Sequence, residues 1–225
     1  MRTGDQRAER AQAKPERVRR GRGDTGAIIA EAALITPFFM FILFGILEFG
    51  GTFRDYLTLN NAVATASRKA SVAANAPDAD YGVVLTIRKE IGAMPLSQVQ
   101  RIIIFHASGP NSAAPKTCLS GATGSAGSGS PLWTGACNVY TNGSPNWTTL
   151  TVTDFGCGSS PPAQDRSWCP TNRKYAAQGT FGPPDFVGIY IEIKHKYYTG
   201  MFGSDRTMSK TAIIQIEPQA LGAAP

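Results

Sequence analysis

Between Thr25 and Phe53 the chain has no lysine and no arginine, and over all 225 residues charged side chains reach only 17%. A stretch that long without a basic residue excludes a solvated loop or surface helix and points to a segment kept from water. Aromatic residues are missing from the first 25 positions, which hold eight basic and four acidic side chains. A basic tail with nothing to stack on bases argues against nucleic acid as a partner. The later charges, fourteen basic and ten acidic from Phe49 onward, form no cluster. Catalytic signatures are also lacking. There is no H-E-x-x-H, no G-x-S-x-G and no phosphate loop, because the Gly/Ser run Gly121–Gly129 is not followed by Gly-Lys-Ser/Thr. The four cysteines contain no C-x-x-C and stand far from His106 and His195, which argues against zinc. No enzymatic activity, metal or cofactor is expected. Arg22-Gly23-Asp24 and the acceptor-like triplets at Asn142 and Asn146 are read as chance matches.

What is present starts with the apolar run itself. Ala27–Leu47 is long enough, as a helix of roughly 30 Å, to cross a bilayer core. Arg17, Arg19, Arg20 and Arg22 precede it, and Glu48, Arg54 and Asp55 are the next charges after it. The positive-inside rule then places the N-terminus in the cytoplasm and the body across the membrane. A removable signal peptide fits less well, since the run exceeds the usual apolar core of about 7–15 residues and the helical pattern continues past it. Phe49, Phe53, Tyr56, Val63, Ala66, Ala70 and Ala73 recur at helical spacing. One helix is therefore expected from Ala27 to about Ala74, bent at Pro37 and ended by Asn75-Ala76-Pro77.

Glu31 is the odd residue in this run. An ionised carboxylate near a membrane core costs a few kcal/mol or more and normally has a partner. No basic side chain follows it until Arg54. The partner is a headgroup, another subunit or an amine created by processing. Glu48, at the far end of the run, reads as a solvated interfacial carboxylate.

Gly26-Ala27-Ile28-Ile29-Ala30-Glu31 spells G-x-x-x-x-E after a short basic leader and before a Pro-containing apolar helix. It resembles the processing signal of type IV prepilin-like proteins. The fuller run from Arg22 to Pro37, with Leu47-Glu48-Phe49-Gly50 at its exit, resembles the TadE-like family of the Tad/Flp pilus system. Where that family carries an aromatic residue after the Glu, this chain has Ala32. The resemblance implies a prepilin peptidase cutting between Gly26 and Ala27. It further implies an assembly contact at Glu31 with the major pilin or other pilus-assembly proteins, and residence in the plasma (inner) membrane. A membrane-anchored extracytoplasmic binding domain without a pilus role is the alternative.

Beyond the long helix, Val83, Val84, Ile87, Ile91 and Met94 mark one face of a second helix, with Asp78 or Asp80 as its cap and Pro95 as its stop. Val99–Ala107 reads as a strand. Val187–Tyr198 and Thr207–Glu217 read as a hairpin joined at Gly200–Asp205, with His195 on its apolar face. Hydrophobic strand followed by Glu217-Pro218 also resembles the TadE-like ending. Between them, residues 108–184 are dominated by Gly, Ser, Pro, Asn and Thr, with one short strand expected near Thr148–Thr153. Cys118, Cys137, Cys157 and Cys169 all lie there, an even number that argues for disulfides. Of the three pairings, Cys118–Cys137 and Cys157–Cys169 close the shortest loops. The expected class is α+β: a long N-terminal transmembrane helix, then a pilin-like body with a small antiparallel sheet and a disulfide-stapled loop region. Its parts are a basic leader at 1–26, a membrane segment at 27–53 continuing as helix to 76, an extracytoplasmic domain at 77–218, and a disordered tail at 219–225.

Overall fold

The computed structural model describes residues 24–120, 136–159, 162–175 and 183–217. The leader up to Gly23, the Gly/Ser run at 121–129, Pro218 and the tail at 219–225 lie outside these. The chain forms two compact units, Met1–Gly45 and Ile46–Pro225.

Helix α1 runs Asp24–Ala73 without interruption at Pro37. It is long and apolar enough to cross a membrane, with a mean hydropathy of 2.2 over its most apolar window. In the first unit its described side chains lie exposed, Ile28, Ile29, Leu34, Ile35, Phe38 and Phe39 among them. The helix stops where Ala74 turns left-handed, at φ 49°, just before Pro77 removes a donor.

The second unit is built around a four-stranded antiparallel sheet of order β2-β1-β3-β4. Its strands are β1 Val99–Ala107, β2 Cys137–Thr141, β3 Phe186–Lys196 and β4 Asp205–Gln215. Gly200 and Gly203, with φ of 71° and 110°, let the chain turn between β3 and β4. Alternation divides the sheet into two faces. Ile102, Ile104, Ile189, Ile191 and Ile193 pack with Leu59, Ala62, Val63, Ala66 and Ala70 of α1 and with α2, Ala79–Glu90. Ile103, Phe105 and Val139 form a smaller core on the other face with Cys118, at the short helix α3, Lys116–Leu119, and with Cys137. Gly188 lies on that second face, and a Cβ there would overlap the Phe105 ring. Gly188→Val is expected to destabilise the body by about 1–3 kcal/mol, read as a lowered midpoint in urea unfolding.

Three local expectations need correction. Of the α1 pattern, Val63, Ala66 and Ala70 are buried as expected, but Phe49, Phe53 and Tyr56 are exposed, and toward the start of the packed half Glu48, Asp55, Leu59 and Ala62 are buried in their place. Among the described residues the strand of the loop-rich region is β2. Thr148–Thr153 is not extended, and Val152–Asp154 forms a single 3-10 turn because Asp154 accepts bonds from the Thr151 amide and hydroxyl at 2.7 and 2.9 Å. Neither Asp78 nor Asp80 caps α2 through its side chain. Asp80 is buried instead, and Arg173 donates to it at 2.6 Å. Asn138 and the Tyr140 hydroxyl also donate to Asp80, at 2.7 and 3.0 Å, and the Arg173 guanidinium lies 4.1 Å over the Trp168 ring. Burial and the Asp80 charge push the Tyr140 hydroxyl well above its usual pKa, which keeps it a donor. This network ties α2 and β2 to the otherwise irregular loop. Disulfides Cys118–Cys137 and Cys157–Cys169 close the same region, each worth about 3 kcal/mol in a chain-entropy account.

At its far end α1 is fixed to the last strand. The Ser71 hydroxyl donates to the Gln215 carbonyl at 2.8 Å, and the Glu217 amide donates to the Ser71 carbonyl at 3.2 Å.

Candidate functional site: a clasp between the helix and the hairpin

Glu48, Gly51, Asp55 and Leu59 follow one another at helical spacing and so share a face of α1. That face carries two acids where a core stripe would carry aliphatic residues. Glu48 is 1% exposed, so the solvated role expected of it is wrong. One carboxylate oxygen accepts the Tyr198 amide at 2.9 Å, and the other accepts the Thr199 amide and hydroxyl at 2.5 and 2.7 Å. Those amides lie just past the end of β3, where no ladder partner is available to them. A buried carboxylate with three donors is stable because each donor replaces lost water.

Two turns on, Asp55 is equally buried. His195 Nδ1 lies 2.7 Å from one of its oxygens, and Arg54 donates to the other at 3.1 and 3.2 Å. The His195 Nε2 is buried and makes no hydrogen bond among the described residues. The histidine is thus held in the apolar face of β3, as its place in the sequence suggested, but through an acid on α1. Between the two acids, Gly51 admits the Tyr198 ring, since a Cβ there would lie 2.7 Å from Tyr198 Cε2. Gly51→Leu is expected to displace that ring and to speed chymotryptic cleavage at Tyr198 in the folded protein, relative to wild type.

Around this clasp, Glu48, Phe49, Thr52, Tyr197, Phe202 and Arg206 line a shallow pocket. The carboxylate oxygens of both acids are occupied by donors from the hairpin or the helix itself. The arrangement therefore positions the hairpin on the helix. Among the described residues no group of three or more His, Cys, Asp or Glu side chains could hold a metal ion.

The other candidate positions are placed apart from the clasp. Gly26 and Ala27 lie in the first turn of α1, where a Cβ on Gly26 would meet nothing within 4 Å. Glu31 is exposed one turn further, on the same face as Ala27, and Pro37 is inside the helix. His106 is stacked on Trp168 with ring centroids 5.4 Å apart and lies 3.6 Å from Asp185. Sequence reasoning missed Glu48 and Asp55 as buried acceptors. The one available signal was their seven-residue spacing, which puts two acids on one face of an otherwise apolar helix.

Residues 26–68 match the family model for TadE-like protein, a segment that contains Gly26, Ala27, Glu31, Pro37 and the helix side of the clasp. No curated protein and no solved structure matches the chain.

Proposed function

We propose, taking the TadE-like match over residues 26–68 as the premise, that this is a Tad pilus-associated protein. In this reading it is a non-catalytic minor pilin or pilus-assembly subunit that acts through α1 in the membrane. The observation that carries the reading is the start of α1. A Gly26–Ala27 bond lies in its first turn, a lone carboxylate stands at Glu31, and an apolar surface is exposed from there to Leu47.

The basic residues ahead of α1 support a cytoplasmic leader and a body on the outer side of the inner membrane. The paired cysteines support the same placement, since disulfides persist in oxidising compartments. A prepilin peptidase cutting after Gly26 would leave an ammonium on Ala27, four residues before Glu31 on the same face. In the low dielectric of a bilayer, an ammonium–carboxylate pair is far stronger than at a surface. Formed between this chain and a major pilin, it would set the register of assembly.

The body of the second unit, with its own two cores, also suits a membrane-anchored extracytoplasmic binding domain without a pilus role. Two measurements separate the readings. Intact mass of the protein made with and without a prepilin peptidase should differ by residues 1–26, and equal masses would remove the cleavage step. Glu31→Val should abolish pilus biogenesis while the protein stays in the membrane. Unchanged biogenesis would favour the anchored binding domain.

A further inference from the structure

The hairpin end carries a surface that the clasp does not use. Phe49 and Phe53 of α1 are 69% and 62% exposed, and Met201 and Phe202 at the turn of the hairpin are both 44% exposed. The Phe49 and Phe202 rings meet edge to face at 6.0 Å, so the two elements present one apolar patch. Two exposed basic side chains accompany it: Arg206, which lines the pocket beside Phe49 and Phe202, and Arg54, next to Phe53 on α1 and bonded to Asp55. The acids nearby are engaged elsewhere. Glu48 and Asp55 are buried in the clasp, and Asp205 is paired with Lys194 at 3.1 Å. Burial of Glu48 against Tyr198 and Thr199 also fixes the height of the turn. The hairpin end is held level with residue 48 of α1, one residue past the end of the apolar run.

We propose that this hairpin end is a second membrane contact, seated in the phospholipid interface beside the helix exit. Phe49, Phe53, Met201 and Phe202 enter the acyl boundary, while Arg206 meets lipid phosphate. The proposal rests on the reading that the apolar run of α1 spans the bilayer. Continuity favours lipid as the occupant. Phe49 is two residues beyond Leu47, and Phe53 lies roughly 9 Å beyond it along the axis, a depth comparable with the headgroup layer. Aromatic side chains concentrate at that level, and basic residues there gain from anionic headgroups. Arg206 adds a specific feature. It stands opposite His195 in the β3–β4 register and lines the pocket with Glu48, Phe49, Thr52, Tyr197 and Phe202; the Glu48 oxygens are taken by Tyr198 and Thr199, so the guanidinium is the charged group there that a phosphate would meet.

The test uses the full-length chain in phosphatidylcholine vesicles with and without phosphatidylglycerol, doped with a phospholipid that carries a photoactivatable group in its acyl chain. Trypsin then releases residues 23–54, which report the span, and residues 197–206, which report the hairpin. Both peptides should carry lipid, with more on 197–206 when phosphatidylglycerol is present. Phe202→Asp and Met201→Asp, each at the exposed turn, should reduce label on the hairpin relative to the span peptide. Arg206→Gln should lower the phosphatidylglycerol-dependent part about fivefold, read on residues 197–210 because a cleavage site is lost. Lipid on 23–54 alone, in protein that resists alkaline extraction, would overturn the proposal and leave the span intact. Extraction by alkali, with neither peptide labelled, would overturn the spanning reading itself.

Discussion

Arg173→Ala should cost the body about 3–5 kcal/mol, the usual consequence of leaving one member of a buried ion pair alone. Both side chains of the Asp80–Arg173 pair are fully inaccessible. Among the described residues the substitution leaves the Asp80 carboxylate with Asn138 and Tyr140 as donors, and it removes the cation from the Trp168 face. Urea unfolding of the disulfide-intact protein in detergent, followed by tryptophan fluorescence, reads the change, because Trp147 and Trp168 are both buried. The double variant Asp80→Asn with Arg173→Met should be less costly than the sum of its singles, since no uncompensated charge remains. A strictly additive cycle would mean the pair is not coupled.

Glu48→Ala should free the hairpin end without unfolding the sheet. It removes the acceptors of two backbone amides and one hydroxyl at once. Hydrogen exchange at the Tyr198 and Thr199 amides should accelerate by roughly tenfold or more, while amides in β1 keep their protection. Glu48→Gln should behave similarly, because one end of its amide is a donor facing donors. Thr199→Val removes only one of the three bonds and should have a visibly smaller effect. Equal exchange in wild type and Glu48→Ala would show that the clasp does not hold the turn.

The long helix was legible because its signal is contiguous: an apolar run, a basic flank before it and Pro77 after it. The hairpin was legible because Ile189, Ile191 and Ile193 alternate with polar residues, and period two has no other common reading. β2 was not. Cys137-Asn138-Val139-Tyr140-Thr141 is five residues in a Gly/Ser-rich stretch, and it becomes a strand through pairing with β1, a partner its own composition does not announce. The α1 stripe was right at Val63, Ala66 and Ala70 and wrong at Phe49, Phe53 and Tyr56, which are as periodic as Glu48, Asp55 and Leu59. The two faces differ by a single residue, about 100° round the helix, and hydrophobicity favours the wrong one. The clasp was out of reach for a further reason. The partners of Glu48 and Asp55 lie 150 and 140 residues away, and those of Glu48 are mostly backbone amides, which every residue but proline has.

The second half of α1 is pinned twice to the same hairpin, by Glu48 at the turn and by Ser71 at Gln215. From 48 to 71 the helix rises roughly 35 Å, close to the length of an eleven-residue strand such as β4. Helix and hairpin are thus matched in length and fastened at both ends. Tension along this half of the helix is therefore shared between two fastenings, whereas a single fastening could be peeled open from one side.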